Sequence, residues 1–131
     1  MNWKRITIFT AILLLATFAA SFPFGFIYGF LASIDKPVPT WLSKVQNIVV
    51  PMTAVIVFLF LAKKQESKPW LHALVVALFS WLVSFPINVL YFGQPVLSWA
   101  VAVVILFITL AIGTPIGNYL RNKSTEQVEN A

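Results

Sequence analysis

The sequence predicts an all-α, polytopic membrane protein: four transmembrane helices in an up-down bundle, with the option that the two helical hairpins are parallel repeats. Composition is the first ground. The chain has 131 residues, of which 60% are hydrophobic and 10% charged, and its mean hydropathy is +0.88. Soluble domains are about 45–50% apolar and about 25% charged, and a small domain leaves much of its surface wet. The second ground is clustering, because the nine basic and four acidic residues leave long stretches uncharged. Strands are disfavoured, since nothing alternates with period two and the runs exceed barrel-strand length.

Each helix follows from an uncharged run. The first extends from Ile6 to Ile34, the second from Val45 to Ala62, and the third from Pro69 to Leu120 with His72 inside it. A span needs about 20 residues, so the third run holds two spans. Phe92-Gly93-Gln94-Pro95 is the natural turn, with Pro95 suited to a helix first turn. The expected helices are 6–31, 41–62, 69–91 and 96–120 within a single membrane domain, followed by a polar tail at 122–131. The start of the first span also resembles a signal peptide, with Lys4 and Arg5 before an apolar stretch and Thr17-Phe18-Ala19 as a cleavage site. The uncharged run continues well past Ala19, which favours a retained span.

Lysine and arginine set the expected orientation. Lys4, Arg5, Lys63, Lys64, Lys68, Arg121 and Lys123 fall on one side, against Lys36 and Lys44 on the other. The excess places both termini in the cytoplasm, in what is expected to be a bacterial cytoplasmic membrane. Trp3 and Trp70 at one set of ends, and Trp41 and Trp99 at the other, suit the headgroup zones. Trp81, at mid-span, reads as packing. The pI near 9.8 does not imply nucleic acid, because the basic residues bound apolar runs instead of forming one polar face.

The first and third spans share a pattern. Ser21-Phe22-Pro23 recurs as Ser84-Phe85-Pro86, and Tyr28 as Tyr91. A helical stripe accompanies it: Thr10, Leu14, Thr17, Ser21, Gly25 and Tyr28 in one span, and Ala73, Ala77, Ser80, Ser84, Asn88 and Tyr91 in the other. Both halves start on the same side, so a duplication would be parallel, with its pseudo-axis along the membrane normal. Convergent use of small residues where helices meet explains the pattern as well. Either way the stripes are expected to face inward.

Chemistry-bearing residues are scarce. There is no cysteine, which excludes disulfides and thiolate metal sites. Asp35, Glu66, Glu126 and Glu129 all lie outside the spans, and His72 stands alone near an edge. Acid–base catalysis needs a poised group and a metal needs a ligand cluster, so no catalytic residue, metal or cofactor is expected. Pro23 and Pro86 each remove a helix donor at matching depth. Ser21, Ser84 and Asn88, with Gln46 and Asn47 from the second span, are the candidate lining of a polar pocket in the outer half between helices one and three. Against this stands ordinary packing, since kinks and polar side chains in membrane helices mostly serve neighbours. Pro51 and Pro115 mark further bends. Gly25–Gly29 and Gly113–Gly117 each have the Gly-x-x-x-Gly spacing that lets helices touch at the backbone, whether within the bundle or between chains. The resulting expectation is a non-catalytic accessory or interaction subunit acting through helix packing. Its partners are the lipid bilayer and a homo-oligomer or a larger membrane protein. The alternative is a small homo-oligomeric transporter or channel.

Overall fold

A computed structural model describes residues 2–129, with the side chains of 128 and 129 left aside. It is an all-α four-helix bundle: α1 (Trp3–Ser33), α2 (Thr40–Lys64), α3 (Pro69–Phe85) continued by a π-helix (Pro86–Tyr91), and α4 (Val96–Glu129). The four helices are long and apolar enough to cross a membrane. At 1.5 Å per residue α1 is about 46 Å long, more than the roughly 30 Å of a hydrocarbon core. Its ends therefore reach the headgroups or the helix tilts.

The termini of these elements follow from local chemistry. Asn2 caps α1, its side chain accepting the Arg5 N–H at 3.1 Å. Pro69 opens α3 after Lys68, which adopts a left-handed φ of 49°. In the turn before α4 the left-handed position (φ 65°) falls to Gly93, where no Cβ resists it. The sequence ends the fourth span at 120, but α4 continues to Glu129. Once a helix is formed, adding polar residues such as Asn122–Gln127 needs no new nucleation.

Arrangement around the bundle is α1, α2, α4, α3. α2 and α3 meet across the short diagonal, while α1 and α4 lie apart on the long one. Ile6, Phe9 and Leu13 of α1 join Phe58 and Leu61 of α2, Val76 of α3 and Leu110 of α4 in one core. Outside that seam the bundle is apolar too. Leu15, Phe26 and Leu97 are 68%, 70% and 75% exposed, and large hydrophobic residues face outward along every helix. A water-soluble protein does not show an apolar surface of this extent, and lipid is the solvent that fits it.

The most intimate contact is between the parallel helices α2 and α4. A Cβ added to Gly113 would lie 2.5 Å from the Val55 carbonyl oxygen and 2.9 Å from Phe58 Cβ, and one on Gly117 would meet the Leu59 carbonyl and lie 2.8 Å from Ala62 Cβ. Here the absence of side chains lets two backbones touch. Gly113–Gly117 therefore packs the bundle internally.

Candidate functional site

The polar stripes of α1 and α3 lie mostly on their less exposed faces, but Gly25 and Tyr91, which the stripe would turn inward, are exposed. Thr10, Ala73, Ala77 and Ser80 are buried, and Thr17, Ser21, Ser84 and Asn88 half-buried. Their hydroxyls mostly turn back onto their own helices. Ser21 Oγ donates to the Thr17 carbonyl at 2.7 Å, and Thr17 Oγ1 to the Leu13 carbonyl at 2.7 Å. Ser84 Oγ donates to the Trp81 carbonyl at 2.7 Å. Such back-bonding satisfies a hydroxyl locally. No hydrogen bond joins Ser21 to Ser84, Asn88 or Asn47 among the described residues. On α2 it is Gln46 that turns inward, its Oε1 accepting the Tyr28 hydroxyl at 2.8 Å, whereas Asn47 is exposed.

The matched prolines diverge. α1, α2 and α4 run as continuous helices through Pro23, Pro51 and Pro115. At Pro86 the α-helix ends and the π-helix begins. A π turn holds one more residue than an α turn, so every later side chain is rotated away from the stripe. Tyr28 is held inside by Gln46, while Tyr91, its counterpart, is 82% exposed. Asn88 sits within the widened turn, where its backbone carbonyl accepts the Gln94 N–H at 2.9 Å.

Beside it, Trp81 packs as the sequence suggests. Its ring stacks on Trp99 at 4.1 Å and 7°. Each indole donates to the other residue's backbone carbonyl, Trp81 Nε1 at 3.0 Å and Trp99 Nε1 at 3.1 Å. Trp99 Nε1 also reaches Ser84 Oγ at 3.1 Å. The pair fastens α3 to the first turn of α4 and satisfies both N–H groups away from water.

A second polar assembly occupies the opposite, basic end. Gln65, between α2 and α3, is 4% exposed. Its Oε1 accepts Arg5 Nη1 at 2.9 Å, its Nε2 donates to the Ser67 carbonyl at 2.9 Å, and its own carbonyl accepts Nη1 of Arg121. Arg5 Nη1 also reaches the Lys64 carbonyl at 2.8 Å, as cations do at a helix C-terminus. Gln65 thus ties α1 to α4, two helices whose backbones lie apart among the described residues. His72, 2% exposed, clips α1 to α3: its Nε2 lies 3.2 Å from the Asn2 N–H and its Nδ1 3.1 Å from the Lys68 carbonyl. An N–H can only donate and a carbonyl only accept, so these two contacts fit the tautomer that carries its proton on Nδ1. An open cleft of about 630 Å³, lined by Asn2, Trp3, Arg5, Gln65, Glu66, Ser67 and His72, overlies this assembly.

Sequence reading placed His72 at the edge but missed its two partners, and it did not single out Gln65 as a structural residue. One glutamine in Lys-Lys-Gln-Glu-Ser-Lys carries no periodic signal that distinguishes it from a solvated loop residue. Among the described residues no three of His, Cys, Asp and Glu come together as metal ligands do. No family model, no curated protein and no solved structure matches this chain.

Proposed function

We propose that this protein is a non-catalytic, multi-pass accessory subunit of a bacterial cytoplasmic membrane, with both termini in the cytoplasm, and that it acts through helix–helix association. The observation that carries this reading is the state of Gly25 and Gly29. A Cβ on either would meet nothing within 4 Å, and both glycines are exposed between Phe22, Phe26 and Phe30 on α1. Small residues four apart let a second helix approach to backbone distance. In the α2–α4 seam this spacing serves the fold, whereas on α1 the fold leaves it unused. A second copy of this chain or a larger membrane protein is the occupant.

Co-purification in mild detergent tests the reading. The wild-type chain is expected to carry a stoichiometric partner or to run as a homo-oligomer, and Gly25→Leu/Gly29→Leu to run alone. A wild-type chain that is monomeric and partnerless throughout would overturn it. Orientation is tested by thiol labelling in a chain with no cysteine of its own. Gln94→Cys is expected to label from outside and Glu66→Cys from inside. Glu66 is the better probe than Gln65 because it is exposed while Gln65 is buried.

A transporter or channel is the second reading, and Asn88 favours it. The residue is half-buried in a π-helix, a form frequent at functional sites. Asn88→Leu would then abolish solute flux in liposomes without loss of folding. Unchanged flux discards this reading.

A further inference from the structure

We infer that the groove between the start of α1 and the end of α2 is a binding site for the phosphate of an anionic membrane lipid. The groove, about 320 Å³, is lined by Asn2, Lys4, Arg5, Ile8, Phe9 and Lys64. Three of these are cations and none is an acid. Two come from α1 and one from α2, so the positive charge is concentrated by the packing and not by one run of sequence. Lys4 and Arg5 stand in the first turn of α1, which has no acidic residue to offset them. The helix dipole is positive there and disfavours cations. The fold holds them in place regardless, with Arg5 Nη1 drawn to the Lys64 carbonyl at 2.8 Å. Among the described residues the side chains of Lys4 and Lys64 form no ion pair or hydrogen bond, and both are exposed. Glu66 lines the adjoining cleft instead.

An anion placed here would meet three cations and the positive end of α1 together. The chemistry is that of a phosphate ester, and the groove's other wall identifies the source. Ile8, one turn further into the span than Lys4, is 46% exposed, so the cations border an apolar side. A soluble phosphate has no use for that side, but a glycerol backbone and the first carbons of an acyl chain do. The site therefore takes a lipid from the leaflet that meets the basic end of the bundle. This inference does not depend on what covers Gly25 and Gly29.

Native mass spectrometry of the full chain released from detergent micelles tests it, with phosphatidylglycerol, phosphatidylcholine and inorganic phosphate as probes. Phosphatidylglycerol is expected to be retained in preference to phosphatidylcholine, and inorganic phosphate not to displace it. Lys4→Gln/Lys64→Gln is expected to weaken phosphatidylglycerol binding about thirty-fold, from roughly fivefold per charge removed near the surface. Lys4→Gln alone should weaken it about fivefold, and far-UV circular dichroism should stay unchanged in both. Lys63→Gln/Lys123→Gln removes equal charge from the same end but not from the groove, and is expected to bind nearly as wild type. Equal loss in the two double variants would reduce the effect to a diffuse field and overturn the site. Equal retention of both lipids would do the same, and displacement by inorganic phosphate would overturn the lipid assignment.

Discussion

Gly25–Gly29 and Gly113–Gly117 have the same spacing and opposite surroundings. At Gly113 and Gly117 any side chain would strike the backbone of α2, while at Gly25 and Gly29 it would meet open space. Spacing alone thus says that a helix can be approached closely, not by what. The difference lies in the neighbours. Gly113 and Gly117 share a face of α4 with buried Thr109, Leu110 and Thr114, so that face is already the inward one. Gly25 and Gly29 are flanked by exposed phenylalanines, so theirs looks toward lipid. The first pair holds the fold together, and the second is free to act on something else.

The sharpest way to break this contrast is to fill both seams. Gly117→Leu is expected to cost at least about 3 kcal/mol or to prevent folding, because its neighbour is backbone and cannot rotate aside. Thermal unfolding in detergent, followed by circular dichroism, reads it directly. Gly117→Ala should already be measurably unstable, and wild-type stability in that variant would mean that α2 and α4 are not in backbone contact. Gly25→Leu/Gly29→Leu comes next. Its unfolding midpoint should stay near wild type, within about 0.5 kcal/mol as for other changes that touch nothing, while its association is lost. A variant that unfolds early would mean that α1 packs inward through this face, and the two glycine pairs would then be alike.

The fold class was legible because hydropathy, charge clustering and tryptophan placement all answer to one solvent. Pro69 and Pro95 mark the starts of α3 and α4, whereas Arg121 and Lys123 do not mark the end of α4, which runs on to Glu129. The divergence of Ser21-Phe22-Pro23 from Ser84-Phe85-Pro86 was not legible, since both prolines remove one donor and their surroundings differ through tertiary contacts, Tyr28 with Gln46 on one side and Trp81 with Trp99 on the other. The stripes were visible as periodic positions, but a stripe does not say whether its hydroxyls face a shared cavity or bond to their own backbone, as Ser21 and Ser84 do. Asn47 and Gln46 differ by one residue and so by about 100° around α2, which composition does not resolve. Gln65 was hidden because its role arises only when four segments meet.

That residue extends the comparison from glycines to polar ties. α4 is held to α2 by bare backbone, and Gln65 adds a polar tie from α4 to α1. Gln65→Leu removes one of the two acceptors of Arg5 Nη1, leaving it the Lys64 carbonyl, and leaves the 65 carbonyl to Arg121. The expected loss is about 2 kcal/mol, smaller than at Gly117, and hydrogen exchange should rise in the first turns of α1 and not in α4. A uniform rise through all four helices would instead make Gln65 part of the same cooperative unit as the glycine seam.

The smallest effect belongs to the opposite end. Trp99→Phe keeps a ring against Trp81 and keeps the 99 carbonyl that Trp81 Nε1 uses, but deletes the donor to the Trp81 carbonyl and to Ser84 Oγ. Ser84 still donates to the same carbonyl, so no acceptor is stranded. Interhelical hydrogen bonds in membranes average about 0.6 kcal/mol, and a cost of about 1 kcal/mol is expected for this change. Trp41→Phe, at an exposed position on α2, should cost nothing measurable by the same unfolding experiment. A loss at Trp99 as large as that at Gln65 would show the two ends of the bundle to be equally fastened. The expected gradient runs from bare-backbone contact at Gly117 through Gln65 to the indole pair that joins α3 to α4.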